Sequence, residues 1–140
     1  MKDTIITLYV DTVKIIGLPE KPSPDEVLAC ILLGDNHNDP PKGEDFTSKI
    51  HGRSKLAWVG AAMHIMDSVE DFVIITKIVV KKKKSIIEIY DSRKSSGKTH
   101  KDGYVKKAKP GSEEEYRIHF LVNSGGVERK FKIDPKIRVI

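Results

Sequence analysis

The chain has 140 residues, a mass of 15.7 kDa, a formal net charge of +5 and one cysteine. A single cysteine excludes an intramolecular disulfide, and no apolar run approaches the roughly 18 residues of a membrane-spanning helix. The first residues show no basic segment leading into an apolar stretch, so we expect one soluble, cytoplasmic domain spanning residues 1–140.

The charge is unevenly distributed along the sequence. Residues 1–70 carry seven Lys or Arg against eleven Asp or Glu, a balance of −4. Residues 71–140 carry eighteen against nine, a balance of +9. Such asymmetry indicates either an anion-binding half or a module whose copies attract one another end to end.

The first predicted element is a strand over Thr4–Val10. Both of its faces are largely apolar, which predicts a strand covered on both sides. The segment Val13–Ile16 could extend this strand, and the proline-rich stretch 17–24 then forms a surface loop.

Residues 24–33 allow two interpretations. The capping box that begins at Ser23, with Pro24 at the first helical position, favours a helix. The uniformly apolar run Val27–Leu33 fits a strand buried on both faces as well as a buried helix. We favour a single turn at 24–26 followed by a strand, with a helix as the alternative.

The middle of the chain holds the predicted centre of the core. A strand over Asp45–Ile50 and a strand over Lys55–Gly60, with Trp58 as core anchor, precede the β-branched run Phe72–Val80, which is typical of a central strand. The residues between Gly60 and Phe72 fit either a short helix or an irregular connection.

The rest of the chain is also predicted to consist mainly of strands. Ile86–Tyr90 is spaced to form a hairpin with the preceding strand, and residues 91–111 have the composition of a mobile basic loop. Tyr116–Asn123 and Val127–Ile133 alternate around a glycine turn, which predicts a β-hairpin. A short edge strand containing Ile137 and Val139 ends the chain. Together these elements predict an all-β, mainly antiparallel β-sandwich with room for one short helix.

The order of these features resembles the inclusion-body (PixA/AidA-like) family of small bacterial β-sandwich proteins over about the first eighty residues. The resemblance rests on Val10-Asp11-Thr12, the loop Leu18–Asp25, the strand ending at Gly34, Asp45-Phe46 leading through Gly52 to Trp58-Val59-Gly60, and Val73–Ile78. It implies a non-enzymatic protein, in some cases self-associating, and supplies no catalytic residues.

No pattern in the sequence predicts a metal, cofactor or catalytic site. The polar run Asp35–Asp39 lacks the spacing of a calcium loop, and its residue types are ordinary in turns. The histidines are not spaced as ligands with one another, and no nucleophile motif is present. We therefore expect no cofactor, no metal and no catalytic residue.

The strongest charge signal lies between Lys77 and Lys109, with twelve Lys or Arg against three Asp or Glu. Such a density could neutralise several phosphates, although lysines alone read no base sequence. The alternative is a solvated hairpin tip whose lysines protect a sheet edge. The candidate polyanion-binding residues are Lys81, Lys82, Lys83, Lys84, Arg93, Lys94, Lys98 and Lys101.

Three functional hypotheses follow. The first is a non-enzymatic interaction or assembly module, with a protein partner or a second copy as ligand and no membrane. The second is binding of nucleic acid or another polyanion through the basic hairpin and loop at 77–109. The third is an unrecognised hydrolase, which would need a concave site with perturbed carboxylates or histidines.

Overall fold

The computed structural model describes residues 3–37, 46–63, 71–90 and 100–140. These ranges contain ten strands and two short helices. In chain order they are β1 (Thr4–Val10), α1 (Thr12–Ile16), α2 (Pro24–Leu28), β2 (Ile31–Asp35), β3 (Thr47–Ile50), β4 (Lys55–Ala62), β5 (Phe72–Val80), β6 (Ile87–Ile89), β7 (Lys101–Val105), β8 (Glu113–Ser124), β9 (Val127–Ile133) and β10 (Lys136–Val139).

The strands form two sheets. The first sheet has the order β2-β1-β4-β7-β6, and the second has the order β3-β10-β8-β5, with β9 also paired to β8. The pairs β1–β4 and β3–β10 are parallel, and the other strand pairs in the described ranges are antiparallel. This confirms the predicted all-β, mainly antiparallel sandwich.

One hydrogen bond in the core joins the two sheets. The Trp58 indole N–H on β4 donates to the Tyr116 phenol oxygen on β8 at 3.0 Å, and the ring centroids lie 5.7 Å apart. Both side chains are fully buried, so Trp58 is the core anchor that its sequence position predicts. Burial raises the pKa of Tyr116 well above its ordinary value, and the phenol therefore stays protonated.

Strand β4 passes close to β5 near Gly60. A Cβ atom on Gly60 would lie 2.6 Å from Cγ1 of Val73, closer than two such carbons can come. Glycine at this position lets the end of β4 cross the start of β5.

The helix α1 replaces the predicted extension of the first strand, so the assignment of Val13–Ile16 to that strand was wrong. The Asp11 carboxylate accepts a hydrogen bond from the Lys14 backbone N–H at 3.2 Å and so caps a single helical turn. Ile15 is buried, whereas Val13 is 70 % exposed.

The predicted order of a turn followed by a strand over residues 24–33 is confirmed, but the bounds differ, because Val27 and Leu28 are helical and do not belong to the strand. Both halves of the capping box form, since Ser23 Oγ accepts from the Glu26 N–H at 3.2 Å and Glu26 Oε1 accepts from the Ser23 N–H at 3.0 Å. The helix extends two residues beyond the predicted turn, to Leu28, and β2 begins at Ile31. A capped helical turn thus precedes a strand whose Ile31 and Leu33 are buried, whereas Leu32 is exposed, so the expectation of burial on both faces was wrong.

Three long-range assignments were wrong. Strand β5 pairs with β8 alone among the described strands, so it lies at a sheet edge and is not central. It forms no hairpin with β6, because β6 belongs to the other sheet. Strand β10 lies between β3 and β8 and is therefore an interior strand, although Ile137 and Val139 are buried as predicted.

The mobile basic loop predicted at 91–111 is also corrected in part. Residues Lys101–Val105 form β7, which pairs with β4 on one side and β6 on the other. Residues 91–99 lie outside the described ranges, as do residues 64–70 between β4 and β5.

The predicted C-terminal hairpin is present. Strands β8 and β9 pair from Ser124–Val127 to Ile118–Ile133, and Gly125 and Gly126 have φ angles of 58° and 83°. The predicted strand that contains Phe46 and Ile50 is present as β3, with both side chains buried. In the described part of the chain no helix is both long and apolar enough to cross a membrane.

The bond between Trp58 and Tyr116 provides a stability test. Replacing Tyr116 with Phe leaves the indole N–H without its acceptor inside the core, which should lower the free energy of unfolding by about 1–3 kcal/mol. The matched control is Tyr104→Phe, which removes an exposed hydroxyl that donates to Glu88 at 2.5 Å and should lower the free energy of unfolding much less than Tyr116→Phe does. Urea unfolding monitored by tryptophan fluorescence measures both. Equal losses in the two variants would contradict a core-specific role.

Candidate assembly face and basic surfaces

The lysine run Lys81–Lys84 links β5 in one sheet to β6 in the other. Lys81 is neutralised, because its ammonium group forms ion pairs with Glu115 and, at 3.4 Å, with Asp134. Lys82, Lys83 and Lys84 are exposed. Three of the four lysines therefore offer free charge at a crossover connection.

A buried carboxylate holds this crossover in place. Glu114 on β8 is 3 % exposed and accepts hydrogen bonds from the Ser85 hydroxyl and, at 3.0 Å, from the Ile86 backbone N–H. The Ser85 oxygen in turn accepts from the Ile87 N–H at 2.9 Å. The lysine run is thus tied to the core at its C-terminal end.

Other basic residues lie close to this crossover. The Ile86 carbonyl accepts from the Lys106 N–H at 2.7 Å, and the Val105 carbonyl accepts from the Arg53 N–H at 2.8 Å. These contacts bring three chain segments together at one end of the first sheet. We call the exposed cations there the basic end: Arg53, Lys82, Lys83, Lys84, Lys106 and Lys107.

The structure does not gather all the predicted polyanion residues. Lys101 lies at the start of β7, the end of that strand farther from Lys106. Arg93, Lys94 and Lys98 lie outside the described residues. Sequence reasoning missed Arg53, because its turn lies about thirty residues before the lysine run and joins it only through β7.

A second basic surface lies on the outer side of the second sheet. His119 on β8 pairs with Lys77 on β5 and with Lys132 on β9, so the three side chains form a row across three strands. The β-bulge at Thr76 produces this row, because the shift in register turns Lys77 outward and Ile78 into the core. Neither lysine forms an ion pair with another described residue.

The surroundings of His119 favour the neutral imidazole. Partial burial lowers its pKa from the usual 6.5, and the positive charges of Arg117, Lys77 and Lys132 lower it further, whereas Asp134 acts in the opposite direction. The effect of Asp134 is limited, because Arg117 Nε donates to its carboxylate at 2.8 Å and Lys81 lies nearby.

The row of Lys77, His119 and Lys132 predicts how the pKa of His119 should change when a neighbouring charge is removed. Replacing Lys132 with Gln removes a positive charge beside the imidazole, so the pKa of His119 should rise toward its ordinary value. The control Lys82→Gln changes the same charge at the basic end and should leave this pKa unchanged. A proton NMR titration of the histidine ring resonances gives both values. A fall in the pKa of His119 on losing Lys132 would contradict the row.

The outer side of the first sheet has the opposite character. Most of the side chains that β2, β1 and β4 present there are uncharged, since Tyr9 pairs with Leu32 and Ala61, and Ile5 pairs with Ala57. Charged residues lie at the border, where β4 begins with the exposed Lys55 and Asp102 of β7 pairs with Ala57. Ile5 is 44 % exposed, and Tyr9 and Leu32 are each 38 % exposed. We call this surface the apolar face: Ile5, Thr7, Tyr9, Leu32, Ala57, Val59 and Ala61.

The expectation that β1 is covered on both sides was therefore wrong. Its inward side chains, Ile6, Leu8 and Val10, are buried, but Ile5 and Tyr9 remain accessible. Scattered apolar side chains are normal on a protein surface, whereas a contiguous apolar patch marks an interaction site. The exposed side of β1 is thus the strongest interaction signal in the first half of the chain.

The described polar groups give no metal or nucleophile cluster. No group of three potential metal ligands occurs among the described residues. Asp35 instead accepts hydrogen bonds from Ser48 at 2.5 Å and from the His37 N–H at 2.9 Å, as a turn residue does. Burial raises the pKa of Cys30, whose thiol donates to the Glu26 carbonyl at 3.4 Å, so this thiol is protonated and packed.

Comparison with known proteins identifies a solved structure with a similar fold. No family model matches the chain, and no curated protein matches it in sequence. Among solved structures, the crystal structure of the PixA inclusion body protein from Burkholderia cenocepacia J2315 matches with a TM-score of 0.67 and 12 % sequence identity. The fold of the present chain is similar to that of this inclusion body protein.

The likeness covers 99 % of this chain and 95 % of the Burkholderia chain. The resemblance inferred from the first eighty residues is thus confirmed at the level of the fold, and it extends through the C-terminal hairpin. At 12 % identity the likeness establishes only the fold, so the function has to be inferred from the surfaces described above.

Proposed function

We propose that this protein is a non-enzymatic assembly module whose copies associate through the apolar face. The observation that carries the proposal is the exposure of Ile5, Tyr9 and Leu32 on the apolar face. The charged residues Lys55 and Asp102 lie at the border of this face. A cytoplasmic setting is part of the proposal and is supported by the lone, buried thiol of Cys30.

A second copy suits this surface better than a charged partner. Two copies related by a two-fold axis bring the same patch together, so a charged patch would face its own charge. The apolar face avoids that repulsion, although the whole chain carries +5. Its mixture of one aromatic ring, branched aliphatic side chains and small residues allows close packing of two flat sheets.

Two further points support assembly over other roles. The structural neighbour is an inclusion body protein by name, and that name is compatible with an assembly role. The apolar face includes no acidic side chain, so it cannot provide the acidic half of the predicted head-to-tail attraction. Contact between copies would therefore be driven by apolar burial and would persist in salt.

The assembly proposal is tested by placing charge on the apolar face. Changing Tyr9 and Leu32 together to Lys should weaken association by roughly 100-fold or more, because both lysines would be desolvated in the contact. The matched control changes Val13 and Val127 to Lys, two side chains that are 70 % and 51 % exposed and lie off this face. Sedimentation velocity over a range of protein concentrations at low and high salt measures the effect.

Three outcomes would reject this proposal. The wild-type protein could remain monomeric at millimolar concentration. The control pair could dissociate the assembly as fully as the test pair does. Association could also disappear at high salt, which would indicate attraction between charges and not apolar contact.

A second candidate function is polyanion binding, which the basic end favours. Six exposed cations from three chain segments meet there, and the hydrogen bonds of Ile86 and Val105 fix two of the contacts between segments. Lysine and arginine side chains at such a density release counterions from a phosphate backbone on binding. The arrangement fits a sequence-independent contact with nucleic acid.

A gel-shift assay at low ionic strength with single- and double-stranded DNA and with RNA tests this candidate. Changing Lys82, Lys83 and Lys84 to Ser should weaken binding and reduce the salt slope by up to about 3. The control Lys81→Ser removes a lysine that is already ion-paired and should have a smaller effect than any one of the three. No shift with any nucleic acid, or a shift that the triple variant leaves unchanged, would remove this candidate.

A further inference from the structure

A groove of about 500 Å³ lies beside the edge of the second sheet. Six consecutive residues, Lys130–Pro135, line one side of it, so the groove follows the second half of β9 and continues into the break before β10. Among the described strands β9 pairs with β8 alone, and its other edge faces α2 and Phe46 across this groove. The groove is separate from both the apolar face and the basic end.

The floor of the groove is apolar. Its side chains come from α2, β2, β9 and the residue before β3: Val27, Leu28, Leu33, Phe46, Phe131 and Ile133. These residues belong to the core or pack against it, so the floor is a preformed part of the fold. Its volume lies within the roughly 300–1,000 Å³ of small-molecule sites.

The rim of the groove is cationic. Because side chains alternate along a strand, the same segment that supplies Phe131 and Ile133 to the floor supplies Lys130 and Lys132 to the outer side. Both lysines are exposed and form no ion pair with another described residue. His119 lies next to Lys132 on the same rim.

The one carboxylate on the rim does not cancel this charge. Asp134 accepts two hydrogen bonds from Arg117, at 2.8 and 3.3 Å, and its Oδ2 lies 3.4 Å from Lys81 Nζ. The hydrogen bond from Arg117 holds the pKa of Asp134 below its usual value, so the carboxylate is ionised but already paired. Lys130 and Lys132 therefore leave a net positive rim above an apolar floor.

We propose that this groove binds a single-chain amphiphile with an anionic head, of the class of medium- to long-chain carboxylates. The alkyl chain lies on the floor between α2 and β9, and the carboxylate lies between Lys130 and Lys132. A polyanion would leave the floor unused, and a neutral apolar molecule would leave the lysines without an ion pair. This assignment does not depend on assembly through the apolar face.

The test compares decanoate with 1-decanol, which has the same chain length but no charge. Each ligand is titrated into isotopically labelled full-length protein and followed by amide proton–nitrogen correlation spectra. We expect saturable shifts in β9 and α2, and decanoate binding about tenfold tighter than decanol, because only the carboxylate forms charge-assisted contacts with the rim.

Charge variants locate the head group. The double variant Lys130→Gln, Lys132→Gln should weaken decanoate binding by about tenfold and change decanol binding by less than about twofold. The matched control Lys82→Gln, Lys83→Gln removes the same charge at the basic end and should leave both affinities unchanged. All four lysines are exposed, so the variants should keep the wild-type fold, which their spectra report directly.

Several results would overturn the assignment. Shifts that do not saturate, or that map away from β9 and α2, would show that the groove holds no ligand of this class. Equal affinity for decanoate and decanol would show that the rim selects no anion. Equal weakening by the two double variants would show that only the overall charge of the protein matters.

Discussion

The contact between Trp58 and Tyr116 fixes how the two sheets lie on each other. The indole is large, so the strand beside β4 must leave room for it. Gly103 on β7 lies between this ring and β6, since a Cβ atom there would overlap the Glu88 backbone carbonyl oxygen and would lie 3.2 Å from the Trp58 ring. The close approach of the β6 backbone on one side and of the Trp58 ring on the other therefore favours glycine at this position of an interior strand.

The connection from β5 in one sheet to β6 in the other then determines where the lysine run Lys81–Lys84 lies. Because Glu114 ties the crossover after β5 to β8, the lysine run emerges beside the turn of Arg53 and not at a hairpin tip. The outside of β2, β1 and β4 is mostly uncharged and has Lys55 and Asp102 at its border, whereas the outside of the second sheet carries the row of Lys77, His119 and Lys132. The two outer surfaces of the protein therefore differ in character.

Local patterns predicted the elements whose identity depends on near neighbours. Alternation identified β1, β4 and the hairpin of β8 and β9, and the capping box at Ser23 located α2. The sheet to which β5 and β6 belong could not be predicted, because the pairing partners lie far along the chain. Strand β7 was missed because its sequence is polar, and it is defined by pairing with β4 and β6, which no local pattern contains. Asp11, a good cap residue, was the available signal for α1.

The candidate surfaces were predictable to different degrees. The lysine run was visible in the sequence, but its neighbours Arg53, Lys106 and Lys107 were brought to it by strand pairing. The apolar side of β1 was visible too, and the wrong step was to expect that the fold would cover it. An apolar strand face with no counterpart in the chain indicates a partner as readily as it indicates a second layer. The groove beside β9 required the break at Asp134-Pro135 and the position of α2, which no local pattern contains.

The bulge at Thr76 also limits how copies of this chain can meet. Strand β5 has one edge without a described strand partner, and its β-branched composition is that of segments that add to one another in fibrils. The bulge divides its regular pairing into Phe72–Ile75 and Lys77–Val80 and twists the strand between them. The bulge therefore works against a long, flat ladder with another molecule along this edge. If copies associate through the apolar face as proposed, they would do so as folded molecules.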